Sequence, residues 1–167
     1  MGRVASLCCW VKSAAITCFK SMEAISYDFC DWVLERIKSN LQGAISPELV
    51  LDERTGGLGQ KIAKAVNKGI GACVVVGVGS ITPQGSWADD TQCEVAVNVA
   101  VLHNGVLKPD FDSRLFAESL YRKFAGAEYE RPPSLSANVR VGNFDTQGED
   151  KKMHIFSVSY LKILKGD

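Results

Sequence analysis

The sequence predicts an α+β fold, a mixed and mainly antiparallel sheet with helices packed on one side. Three observations carry that expectation. Thr91–Asn104, TQCEVAVNVAVLHN, sets Cys93, Val95, Val97, Val99 and Val101 on one face. Glu94, Ala96, Asn98, Ala100 and Leu102 fall on the other, the period of two that a strand imposes on its side chains. Ala72–Val78, ACVVVGV, is a β-branched run bounded by glycines and reads as a central strand. Two further segments carry apolar residues at helical spacing, one near each end of this strand pair. Strands joined by hairpins, with helices segregated from them, build such a layer.

The elements follow in order. From Met22 to Leu41, Ile25, Phe29, Val33 and Ile37 recur every four positions, with Trp32, Leu34 and Leu41 broadening the stripe. Glu23, Asp28, Asp31, Glu35 and Lys38 fill the opposite side, so the segment is an amphipathic helix with one buried face. Gln42-Gly43 ends it, and Leu49-Val50-Leu51 is a short apolar run suited to a strand. After the glycine-rich turn at Arg54–Gly59, Leu58, Ile62, Ala65 and Val66 suggest a short helix, closed by Gly69 and Gly71. The two long strands come next, joined across the polar loop Thr82–Asp90, TPQGSWADD, as an antiparallel hairpin with an extended tip. His103-Asn104-Gly105 reads as the turn that closes the second strand.

Pro109–Ser113 is a helix-start signature, because an Asp side chain accepts from the free amides of a first turn. Leu115, Phe116, Leu120 and Phe124 supply the buried face of that helix, and Ala125-Gly126 closes it. Arg131-Pro132-Pro133 is a break. Beyond it Leu135, Ala137, Val139 and Val141 alternate with polar residues, and Asn143–Lys152 is a polar loop. A last strand, His154–Leu164, carries Phe156, Val158 and Tyr160 on one face, with His154 at its surface end.

With 167 residues, one domain is the default. Residues 22–167 are assigned to it. Residues 1–21 form a cysteine-rich N-terminal extension, poorly ordered or partner-binding, in which Lys12 and Lys20 interrupt any signal-peptide core. Gly2 through Ser6 also fits the myristoylation pattern M-G-x-x-x-S/T, with Cys8 and Cys9 as palmitoylation candidates. Nineteen basic and nineteen acidic residues cancel, so the composition gives no support for binding nucleic acid through phosphate neutralisation. The six cysteines form no CxxC pair and only two histidines occur, so no zinc spacing is present. Cys73 and Cys93 lie within apolar strands, where a free thiol behaves as a small hydrophobe.

No catalytic constellation assembles from the sequence. Gly56–Lys61 approaches a phosphate loop, but Gln60 separates glycine from lysine and Ile62 replaces the hydroxyl residue. Gly77-Val78-Gly79-Ser80 lacks the third glycine of a dinucleotide fingerprint and marks a bulge or close strand packing instead. Ser80 and Ser86 stand outside a nucleophile elbow, and Asp110 and Asp112 are capping candidates. The expectation is therefore a protein that is not an enzyme, with no cofactor and no metal. Trp87, flanked by Asp89 and Asp90 in a polar loop, is the candidate interface anchor, since tryptophan is enriched at binding hot spots.

From Met22 onward the chain resembles the tail-terminator and tail-completion proteins of tailed bacteriophages, a minor tail protein family of virions and prophages. The features that carry the resemblance are the opening amphipathic helix, the hairpin ACVVVGVGSIT…TQCEVAVNVAVLH, the helix DSRLFAESLYRKFAG, Leu135–Val141 and the closing strand HIFSVSYLKIL. The resemblance implies an α+β sandwich whose subunits form a hexameric ring. That ring would cap the tail tube and meet neck or head-completion proteins, in the virion after assembly in the host cytoplasm. Two other classes compete. One is a non-catalytic small-molecule or peptide-binding module using the sheet face opposite the helices. The other is a peripheral membrane adaptor acylated near residues 2–9.

Overall fold

The computed structural model describes residues 25–84, 91–131 and 135–164. The expected α+β architecture is present, with a mixed, mostly antiparallel sheet. Helix α1 covers residues 25–39. A 3-10 turn at Pro47–Leu49 leads into β1 (Val50–Asp52), and α2 (Leu58–Ile62) continues into a wider π turn at Ala63–Asn67. Strands β2 (Ala72–Gln84) and β3 (Thr91–Asn104) form the expected hairpin, followed by α3 (Ser113–Phe124). Strands β4 (Glu128–Arg131), β5 (Leu135–Val141), β6 (Asp145–Gln147) and β7 (Lys151–Leu164) complete the sheet. Its order is β1-β2-β3-β7-β5-β4, with β6 lying against β7.

The pleat sorts side chains onto two faces. On the inner face Val74, Val76, Val95, Val97, Val99, Val101, Phe156, Val158 and Tyr160 are buried under α1 and α3. Ile25, Phe29, Val33 and Ile37 of α1 fill that core as the four-residue spacing requires, and Phe29 packs edge-on to Tyr129 at 5.0 Å between ring centroids. Trp32 meets Phe124 at 5.9 Å, so the two long helices touch across the same face. The short α2 and its π turn lie on the opposite face, where Ala65 and Val66 pack with Leu51 and Cys73. That placement departs from helices confined to one side. Strand β1 runs parallel to β2, and a parallel neighbour needs a crossover over one face of the sheet.

Further expectations change, and His103 and Asn104, read as part of a turn, belong to β3. Strand β2 runs on through Thr82, Pro83 and Gln84, because β3 offers it a partner ladder there. Strand β4 appears between the helix end and the proline break, where no element is expected, and β6 in the segment read as a polar loop; both are short and are held by their neighbours β5 and β7. Leu115 is 64% exposed rather than buried. The core stripe of α3 is Phe116, Leu120 and Phe124 at intervals of four, and Leu115 stands about 100° away from it around the helix. His154 is 1% exposed and inside the protein, not at its surface.

Candidate functional site

Three places in the fold bring polar chemistry together. The first is an internal chain at the end of β3. His103, Ser113 and His154 are all buried, with Ser113 the first residue of α3. His103 Nε2 lies 2.8 Å from the Lys108 carbonyl, and its Nδ1 lies 3.0 Å from Ser113 Oγ. Ser113 Oγ is in turn 3.0 Å from His154 Nε2, and His154 Nδ1 is 2.9 Å from Thr146 Oγ1. A carbonyl can only accept, so neutral His103 carries its proton on Nε2 and accepts at Nδ1 from the Ser113 hydroxyl. Ser113 then accepts from His154 Nε2–H, and His154 Nδ1 accepts from Thr146. Every member is satisfied in one direction along the chain.

This serine between two histidines is not arranged as a nucleophile. Its hydroxyl proton goes to one ring while the second ring donates to its oxygen, and it is shut away from solvent. The nearby Asp112 carboxylate caps α3 by accepting from the Leu115 amide at 2.9 Å, as the sequence suggested. Aromatic contacts close the chain off. Phe111 meets His103 edge-on at 5.2 Å, and Phe144 stacks on His154 at 6.0 Å. Burial pushes the His154 imidazole below its ordinary range, and Lys152, Arg114 and His103 push the same way against Asp112.

The second place is the outer sheet face. Across β2, β3 and β7 it presents rows that pair Val75 with Ala100 and Ile155, then Gly77 with Asn98 and Ser157. Asn98 is exposed, while Val75, Ala96, Ala100, Ile155, Ser157 and Leu161 are only half-buried. Glu94 anchors one end by accepting from Ser159 Oγ at 2.7 Å and from Gln84 Nε2 at 3.2 Å. Gly77 is tight against the Glu53 carboxylate, and Gly79 against the Ala96 carbonyl. The ladder slips between Val78 and Ile81, so the expected bulge at the glycine pair is there.

Arg54 forms a clamp beside β1. It pairs with Asp52 at 2.6 Å and with Asp31 of α1, and its guanidinium lies 5.3 Å from the Tyr27 ring centroid. The Arg54 hydrogen bond holds the Asp52 carboxyl below the usual range. This ties a turn to a helix and leaves the guanidinium engaged by the protein itself. Cys30, Cys73 and Cys93 are buried, and burial pushes the Cys30 and Cys73 thiols up to about 11, far from a reactive thiolate at neutral pH. Among the described residues no group of three His, Cys, Asp or Glu side chains could hold a metal ion. Among them, too, no helix is long and apolar enough to cross a membrane.

Trp87, Asp89 and Asp90, the candidate interface, lie outside the described residues, as do residues 1–21. The chain matches no protein-family model, and no curated protein matches its sequence. The histidine chain escaped the sequence reading although a signal existed. His103 shares the inner-face parity of Val97, Val99 and Val101, and His154 that of Phe156, Val158 and Tyr160. A polar side chain at such a position must find a partner inside. Ser113, hidden behind the capping signature of Asp112, gave no comparable sign.

Proposed function

We propose that this protein is a structural subunit that associates with copies of itself into a ring at the head-proximal end of a phage tail. One observation supports the reading above others: the central strands bury most of one face and leave the opposite face broad and only partly covered. Small side chains such as Ala96, Ala100 and Ser157 keep that face low, and the few polar groups on it do not converge on a point as they would around a small ligand. Its extent suits a protein surface. The resemblance to tail-terminator and tail-completion proteins supplies the kind of assembly, with tail tube and neck proteins as the further partners. Trp87, between β2 and β3 in sequence, is the proposed anchor.

Light scattering coupled to size-exclusion at high protein concentration tests the proposal. A species well above dimer is expected, alone or on addition of tail tube protein. A strict monomer in both conditions would overturn the ring and favour a binding module using the same face.

A further inference from the structure

We propose that β6, together with Phe144, is an acid-opened flap over the buried His103–Ser113–His154 chain. Thr146 of β6 pairs in register with His154 of β7, and its hydroxyl donates to His154 Nδ1. Phe144 stacks on the same ring, so one short stretch of chain covers both the edge and the face of the imidazole. Phe144 also touches Tyr121 and Phe156, so the weakly held part of that cover is β6. Strand β6 is three residues long, pairs with β7 alone, and is exposed throughout. Segments with few buried contacts and exposed ladder bonds open at low free energy.

A proton taken up at His154 can enter at Nδ1, where the Thr146 hydroxyl rotates from donor to acceptor. The hydrogen bonds survive; the buried charge is what disfavours the closed state. The groups around the ring give that charge little relief. Lys152 on β7, Arg114 on α3 and His103 on β3 disfavour it, while Asp112 before α3 favours it but is engaged with the Leu115 amide. Asp145, the acid on β6, accepts from the Thr146 amide and from Gln147 Nε2 instead. The Lys108 ammonium donates to the Ala44 carbonyl and sits 4.5 Å from the Phe111 ring centroid. Lifting β6 and Phe144 lets water solvate the cation at the expense of the Phe144 contacts with Tyr121 and Phe156.

The sign follows from linkage. A histidine disfavoured as a cation when closed binds more protons in the open state, so opening grows as pH falls below the ordinary imidazole value of about 6.5. Each pH unit below that value raises the opening equilibrium by up to about tenfold, until the closed-state pKa is passed. Native-state hydrogen exchange on the full chain reads this directly at the β6 and β7 amides, corrected for intrinsic exchange. Protection there should fall with acid in the wild type and lose that dependence in His154→Gln, while the β2–β3 amides keep theirs. Equal pH dependence in both proteins would overturn the flap. Nitrogen NMR of the wild-type histidines provides a check that needs no variant. Both rings should be Nε2–H tautomers at neutral pH, with His154 titrating below 6.5. An Nδ1–H tautomer at His154, or titration at or above 6.5, would also overturn it.

Discussion

Val97 and Val99 are fully buried on β3, between Val78 and Val76 of β2 and Val158 and Phe156 of β7. Replacing either with Ala removes two methyl groups from a close-packed layer that α3 cannot follow inward. The cost should be about 1–3 kcal/mol, from lost transfer energy plus the residual cavity. Urea unfolding of each variant checks it, and a loss below about 0.5 kcal/mol would place these side chains outside the core. At this scale the sequence was legible wherever alternation was strict. It failed where a residue's role depends on a partner far along the chain. His154 sits beside Ser113 and Thr146, and no local pattern announces that meeting. Leu115 failed for another reason: an apolar residue at a helix start looks the same in sequence whether it faces the sheet or water.

Helix α3 starts where the sequence said, because Asp112 satisfies the Leu115 amide and Pro109 lies outside the helix. Asp112→Ala leaves that first-turn donor to water and should cost about 1 kcal/mol. Thermal unfolding at neutral pH would register it, and an unchanged midpoint would mean that Ser113 and its histidines hold the helix start unaided. The glycines of β2 were equally legible as a bulge, since Gly79 lies where a side chain would meet the Ala96 carbonyl. Strands β4 and β6 were not. DTQ carries no period of two in hydrophobicity, and in EYER the alternation of Tyr129 with Glu128 and Glu130 is too short to stand out; they are strands because β5 and β7 offer unpaired backbone groups beside them. The far end of β2 was missed on similar grounds, since Thr82-Pro83-Gln84 has the composition of a turn and becomes strand only against β3.

Across the whole molecule, the local hairpin was readable, but the pairing of β3 with β7 and the parallel placement of β1 beside β2 were not. Both join segments distant in sequence, and hydrophobic pattern fixes which side of a strand is buried without naming its neighbour. The resulting sheet has edges poorly suited to continue into another copy. Strand β4 carries exposed Glu128 and Glu130, β1 spans three residues, and the bare edge of β2 is broken by its bulge and by Pro83. Such features oppose edge-to-edge pairing. If copies associate, the outer face of β2, β3 and β7 is the better surface, and Asn98 stands exposed near its middle. Asn98→Arg should leave the monomer's unfolding curve within about 0.5 kcal/mol of wild type, as surface substitutions usually do. The same change places a long cation where a neighbour would have to bury it without a partner, a costly arrangement. It should therefore abolish the species above dimer at concentrations where the wild-type protein forms it. If the variant assembles as well as the wild type, the contact lies elsewhere, and the loop carrying Trp87 becomes the surface to test next.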